Sequence, residues 1–145
     1  VLKLSFIQFL CFSSLISLNY LSGYSSLSVL DILGITICIV GIVSELLSEK
    51  ELKLYSKNKI NLVRTGLWSI TRHPNVIGIF FFFLGIQILA LSAVGSQWSL
   101  FGLLLLSYIV WKILIPSLEK KLILKYPDYE NYMETVPKIF PLKLK

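Results

Sequence analysis

The sequence has little of what soluble proteins place at their surfaces. Of its 145 residues, only 15% are charged and one is histidine, whereas 55% are hydrophobic. So small a charged share cannot cover the surface of an ordinary soluble domain with polar groups. We therefore expect an integral membrane protein, and we expect it to be all-α, because a helix satisfies its own backbone hydrogen bonds within a bilayer.

Cysteine is almost as scarce as histidine. The chain has two cysteines, Cys11 and Cys38, and both lie inside apolar stretches. We expect them to act as small buried hydrophobic residues, since their spacing matches neither a metal site nor a disulfide framework. The sequence predicts no metal centre.

Negative charge is also scarce relative to positive charge. The chain has 14 Lys and Arg residues against 8 Asp and Glu residues, which gives a formal net charge of +6. Such an excess can serve nucleic-acid binding when it covers one soluble face. Here the basic residues lie between and after apolar runs, so we expect the lipid bilayer, and no nucleic acid, as a partner.

Long uncharged runs predict four membrane spans. No charged residue occurs between Lys3 and Asp31, and none occurs between Pro74 and Trp111. A span needs about 20 apolar residues, so the first run has room for one span and the second has room for two. The predicted spans are residues 4–21, Ile32–Leu47, 75–92 and 98–115.

The distribution of basic residues predicts an orientation. Lys and Arg are absent from residues 19–31 and 92–98 but abundant in 50–72 and after 112. Basic loops remain on the cytosolic side, so this multi-pass protein is predicted to have both termini in the cytosol.

A different segment follows Pro116. Leu118 and Leu122 recur at helical spacing opposite charged residues, which predicts a cytosolic amphipathic helix that Pro127 ends. This segment either lies on the membrane surface or folds back as a lid over the polar residues before the third span.

Those polar residues form the most distinctive stretch of the chain, from Gly66 to Gly78. Arg72, His73 and Asn75 surround Pro74, which suits the first position of a helix because its missing N–H would be unpaired there. The start of a helix favours an anion, and an arginine can bind phosphate or carboxylate with two donors. The stretch is either an anion site or a helix cap whose arginine reaches lipid headgroups.

Two acidic residues stand near the end of the second predicted span. Glu45 and Glu49 are four residues apart, so they share one face of a helix. An acid beside a span is costly unless it faces protein, water or a ligand. Glu45 is therefore either a site residue or a headgroup-level acid paired with Lys50 or Lys53.

Taken together, these motifs resemble the steroid 5-alpha-reductase-like membrane proteins. Their superfamily also holds sterol reductases and isoprenylcysteine carboxyl methyltransferases. The resemblance rests on Gly66-Leu67-Trp68, Arg72-His73-Pro74-Asn75, Gly78, Glu119 and Tyr126-Pro127-Asp128-Tyr129-Glu130-Asn131-Tyr132, with Gly41, Glu45 and Glu49 upstream. It spans nearly the whole chain, residues 1–145, as a single membrane domain that resembles the C-terminal, cofactor-binding portion of a longer fold.

The resemblance implies an oxidoreductase. Its expected reaction is the NADPH-dependent reduction of a carbon-carbon double bond in a steroid-like or other lipophilic enone. The resemblance does not identify a catalytic residue. Matched position by position, it implies that the cofactor-binding residues are Glu45, Glu49, Arg72, His73, Asn75, Glu119 and Tyr132.

Two alternatives remain open. In an isoprenylcysteine-type methyltransferase, Arg72, His73 and Glu119 would hold S-adenosylmethionine, and Gln87 resembles that branch. A non-catalytic membrane subunit is the second alternative. It is favoured by Val76 and Ile79, which stand where the reductase-like pattern usually has a tyrosine and an acid.

Overall fold

The computed structural model describes residues 27–57, 62–94 and 99–139. Within these ranges it has no strand, and the expectation of helical structure is confirmed there. The elements in chain order are α1 (Val29–Lys57), α2 (Leu67–Ile70), α3 (Pro74–Val94), α4 (Ser99–Ile109), a π-helical turn (Val110–Leu114), α5 (Ile115–Lys125) and α6 (Tyr129–Thr135).

Three stretches of helix are long and apolar enough to cross a membrane. They are Val29–Tyr55, Pro74–Ser92 and Leu100–Lys125. These correspond to the second, third and fourth predicted spans. The first predicted span, residues 4–21, lies outside the described residues, so the count of four stays a prediction.

Helix α1 extends well beyond its predicted end at Leu47. It continues through the acidic stretch to Lys57, and Lys53 Nζ lies 3.3 Å from Glu49 Oε2, one helical turn away. Charged residues with long side chains form helices readily, so the helix continues beyond the end of the apolar run. At the other end, Ser28 and Asp31 form a reciprocal cap, with Ser28 N donating to Asp31 Oδ2 at 2.7 Å and Asp31 N to Ser28 Oγ at 3.3 Å.

Helices α1 and α3 pack antiparallel at very short range. A Cβ atom on Gly41 would lie 2.5 Å from Phe82 N and 2.6 Å from Gly78 O. Gly85 is equally crowded, because its Cβ would lie 2.6 Å from Gly34 O. Small residues let helix backbones approach in this way inside membranes. The contact fixes the start of α3 beside the second half of α1.

The outer faces of the long helices are apolar. Ile32, Ile39 and Val43 on α1, and Phe101 and Leu104 on α4, are all exposed. Exposed aliphatic and aromatic side chains on helices of this length suit contact with lipid rather than water.

The segment from Tyr126 to Ile139, here called the tail, folds back onto the loop before α3. Helix α5 ends at Lys125, two residues before Pro127, as expected. Arg72 N then donates to Pro137 O at 3.0 Å, and Thr71 Oγ1 donates to Lys138 O at 3.1 Å. The tail thus folds back over the polar residues before α3, while the cytosolic position of the amphipathic helix that precedes it stays a prediction.

Candidate functional site

A cavity of about 650 Å³ lies where the end of α1, the loop before α3, helix α5 and the tail meet. Its volume falls within the range of pockets that hold small molecules and cofactors. The aromatic residues of its lining are Tyr55, Trp68, Tyr126, Tyr129 and Tyr132, and the basic ones are Arg72, Lys121 and Lys125.

The structure brings together five of the seven predicted cofactor-binding residues. Arg72, His73, Asn75 and Tyr132 line the cavity. Glu119 lies next to it, buried and in contact with Arg72 and His73. Residues separated by more than forty positions in the chain thus meet because the tail and α5 return to the start of α3.

Glu119 is the centre of a cluster of ionisable groups. Its Oε1 atom lies 3.0 Å from Arg72 Nη1 and 3.2 Å from His73 Nε2, and its Oε2 atom lies 3.4 Å from Lys138 Nζ. The side chains of Arg72 and Glu119 are each only 9% exposed. With both oxygens occupied, Glu119 serves to hold Arg72 and His73 in place.

His73 is neutral near neutral pH. Burial of the ring lowers its pKa, although the hydrogen bond and the negative charge of Glu119 oppose that shift. A carboxylate only accepts hydrogen bonds, so the proton of the neutral ring is on Nε2 and points to Glu119. The cluster then contains the cations Arg72 and Lys138 and the single anion Glu119, and one positive charge is left over.

Four buried polar atoms at this site have no hydrogen-bond partner within the described ranges. They are Nε and Nη1 of Arg72, Oδ1 of Asn75 and the hydroxyl of Tyr129. The Nη1 atom is close to Glu119, but that contact lacks hydrogen-bond geometry. Leaving such a group unpaired costs about 1–3 kcal/mol, so native proteins usually satisfy it with a ligand or water. All four atoms belong to residues that line the cavity.

Tyr129 and Tyr132 are both buried in the tail, where their rings pack together with centroids 5.7 Å apart. Burial is the main cause that raises the pKa of each hydroxyl to about 12, and Glu119 adds to the shift at Tyr129. Both hydroxyls therefore remain protonated donors at neutral pH. Tyr132 donates to Trp68 O at 2.5 Å, which anchors the tail to the loop.

The loop before α3 is held by α1. Gly66 has a φ of 57°, a conformation that glycine adopts without strain. Leu67 N donates to Glu51 Oε2 at 3.2 Å, and Trp68 Nε1 donates to Ser48 O at 3.2 Å. These bonds hold α2 and the following Arg72-His73 pair beside the cavity.

Glu45 and Glu49 lie elsewhere. Both are exposed on α1, and neither belongs to the cavity lining. The carboxylate of Glu49 pairs with Lys53 on the surface. Their assignment as cofactor-binding residues stays a prediction.

Sequence reasoning missed several residues of the lining. Trp68 belongs to the Gly66-Leu67-Trp68 motif but was not among the predicted cofactor-binding residues, yet it forms part of the wall. Lys121 and Lys125 are four residues apart on α5 and both reach the cavity, a spacing that could have indicated a shared basic face. Tyr129 stands three residues before Tyr132, which is the helical spacing for a shared face, but spacing alone does not show whether a hydroxyl has a partner.

A protein-family model described as "Protein of unknown function (DUF1295)" matches residues 2–136. The match includes every residue of the cavity lining and the whole of the Glu119 cluster except Lys138. Comparison with curated proteins and with solved structures gave no match.

Proposed function

The chain belongs to the DUF1295 family, and from the chemistry of its cavity we propose that it is a membrane reductase that binds NADPH and reduces a carbon-carbon double bond of a lipophilic enone. The observation that carries this proposal is the buried, incompletely paired Arg72 in an aromatic and basic cavity.

The charge of the lining favours an anionic ligand. Arg72, Lys121 and Lys125 all line the cavity, and among the described residues no aspartate or glutamate does. The phosphates of NADPH would offset the positive charge left over by the Glu119 cluster. S-adenosylmethionine carries a cationic sulfonium and would find no carboxylate in the same lining, so the methyltransferase alternative is less favoured.

The aromatic residues suit the flat rings of a dinucleotide. Trp68, Tyr126 and Tyr129 provide ring faces and edges on which a nicotinamide or adenine ring could pack. The apolar walls supplied by Leu62, Val63 and Leu122 suit the same rings and the lipid substrate.

The unpaired atoms define roles for this chain's own residues. Arg72 would bind a phosphate through Nε, while the ion pair between its Nη1 and Glu119 keeps the guanidinium in position. Asn75 would meet a donor group of the cofactor through Oδ1. Tyr132 closes the tail over the bound molecule through its bond to Trp68. When bound, NADPH supplies the hydride.

The proposal is tested by titrating the detergent-solubilised protein with NADPH and, separately, with S-adenosylmethionine. We expect binding of NADPH and none of S-adenosylmethionine. Binding of S-adenosylmethionine alone would indicate the methyltransferase, and binding of neither would indicate the non-catalytic subunit. Consumption of NADPH with an enone lipid then tests the reaction itself.

Arg72→Ala should weaken NADPH binding by about 10-fold to 100-fold, the effect of losing hydrogen bonds to a charged group. Arg72→Lys serves as a second variant because it keeps the positive charge beside Glu119 and removes the Nε donor of the guanidinium. Lys53→Ala is the matched control, since it removes a surface cation outside the cavity. An unchanged dissociation constant in both Arg72 variants would contradict the proposal.

A further inference from the structure

The cavity opens to its surroundings between α1 and α5. Leu52 on α1 and Leu118 on α5 both line it, and they are 45% and 38% exposed. On another part of the wall, Tyr129 and Tyr132 are each only 2% exposed. Among the described residues, no Cα atom of α1 lies within 8 Å of one of α5, so the two helices leave a gap. The exposed leucines place the mouth of the cavity at this gap.

The mouth lies where two helices leave the apolar part of a membrane. Leu52 is near the end of the candidate span Val29–Tyr55, and Leu118 is near the end of Leu100–Lys125. Charged residues become frequent in α1 from Glu49 onward. The mouth is therefore at the level of lipid headgroups, and the chain of a lipid bound there would extend toward the apolar part of the bilayer.

One face of α5 brings positive charge to this mouth. Lys121 and Lys125 are one helical turn apart, and both line the cavity together with Leu118 and Leu122. Both lysines are exposed, and neither is paired with a carboxylate within the described ranges. Since no described aspartate or glutamate lines the cavity, the mouth combines unbalanced cations with apolar side chains. That combination suits an amphiphile with a negatively charged head.

We propose that this mouth binds an anionic lipid, with its head at Lys121 and Lys125 and its chain between Leu52 and Leu118. The buried Arg72 is left for the cofactor, so the two anionic ligands would meet different cations. The inference rests on the proposed function in one respect, since it identifies the bound lipid as the enone substrate. The substrate class is then an acidic lipid enone, with a carboxylate or a phosphate in its head, rather than a neutral one.

The binding of three probes to the detergent-solubilised protein tests the proposal. Dioleoyl phosphatidic acid is the anionic lipid, dioleoyl phosphatidylcholine has the same chains and no net charge, and inorganic phosphate has the charge without the chains. Measured by native mass spectrometry, phosphatidic acid should bind at least about 10-fold more tightly than either of the others. Equal binding of the two lipids would show that the head charge is not recognised, and equal binding of phosphate would show that no lipid is required. Either result overturns the inference.

Lys121→Gln and Lys125→Gln should each weaken the binding of phosphatidic acid by about 5-fold, because each removes one cation from the mouth. Lys120→Gln is the matched control, since Lys120 is exposed on the same helix but does not line the cavity. Its dissociation constant should equal that of the wild type. A double variant at Lys121 and Lys125 that binds phosphatidic acid as tightly as this control would contradict the proposal.

Leu118→Asn tests the position of the lipid chain. It replaces an apolar side chain at the mouth with a polar one of similar size, so it should weaken the binding of phosphatidic acid by about 5-fold. Leu124→Asn is the control, because Leu124 is 89% exposed on α5 and outside the cavity lining. Equal effects of the two substitutions would place the chain elsewhere and overturn the proposed site.

Titration with NADPH distinguishes the failure of this inference from the failure of the proposed function. If the wild type binds no NADPH but binds phosphatidic acid through Lys121 and Lys125, the lipid site stands and the reductase assignment falls. If Lys121→Gln and Lys125→Gln weaken NADPH binding and leave phosphatidic acid binding unchanged, the two lysines contact the cofactor and the inference alone falls.

Discussion

The carboxylate of Glu119 lies at the centre of the buried ionic cluster beside the cavity. Both its oxygens are taken by protein groups, and the residue does not line the cavity. Its neighbour Arg72 lines the cavity and has a buried Nε without a hydrogen-bond partner within the described ranges. We therefore expect Glu119 to affect ligand binding through the position and charge of Arg72.

Glu119→Gln should destabilise the protein strongly. The substitution keeps the shape of the side chain but leaves the buried Arg72 charge without its anion, and breaking a buried pair in this way typically costs about 3–5 kcal/mol. Thermal unfolding of the solubilised protein, followed by tryptophan fluorescence, measures the loss.

Glu49→Gln is the control for this prediction. It breaks the exposed pair with Lys53, which should cost no more than about 0.5 kcal/mol. Equal losses in the two variants would show that the Glu119 cluster contributes no more to stability than a surface ion pair.

Residue chemistry and spacing predicted part of the site, and the reasons for the misses are physical. Pro74 marks a helix start beside Arg72, His73 and Asn75, which left an anion site and a helix cap both open, and the family resemblance then implied that these residues bind the cofactor. Tyr129 could not be predicted in this way. It stands out because its hydroxyl has no hydrogen-bond partner within the described ranges, and such partners depend on tertiary contacts. The sequence also did not predict that Glu45 and Glu49 are exposed, since a shared helix face does not specify which groups pack against that face.

At the scale of elements, the site depends on the pairing of α1 with α3. Glycines in both helices bring the backbones into contact, and this contact places Pro74 and the loop before it against the polar end of α1. The sequence predicted both helices from their uncharged runs, and α3 begins at Pro74 as expected. It did not predict the end of α1, because loss of hydrophobicity ends a membrane span but not a helix.

Gly41→Ala should weaken the α1–α3 contact. The new Cβ would meet backbone atoms of Phe82 and Gly78, which cannot move aside as a flexible side chain would. We expect a net loss of about 1–3 kcal/mol, the usual cost of overpacking, even though alanine favours a helix. The retention of monodisperse protein after heating in detergent measures it.

Val43→Leu provides the comparison, since it adds a methylene to the exposed face of the same helix two residues away. Its heat resistance should match that of the wild type. A Gly41→Ala protein as resistant as the wild type would mean that the two helices separate at little cost.

At the scale of the whole molecule, the charges are segregated. The described Lys and Arg residues begin at Lys50 and continue to Arg72, then resume at Lys112, whereas the opposite end, near Ser28 and Ser92, has none. The cavity and the tail lie at the basic end. Basic segments remain in the cytosol. The proposed NADPH site would then face the cytosol, where metabolism supplies the cofactor.

Labelling with a membrane-impermeant maleimide tests this orientation. In a background with Cys11→Ser and Cys38→Ser, Glu130→Cys places a thiol on the exposed side of the tail, and Leu27→Cys places one at the opposite end of α1. We expect Leu27→Cys to react in intact cells and Glu130→Cys to react only after permeabilisation, because α1 separates the two ends by the thickness of a bilayer.

The background protein without either thiol is the control. The reverse pattern would place the cavity outside the cytosol, away from the phosphorylated cofactor, and labelling of both thiols from one side would contradict a membrane crossing by α1.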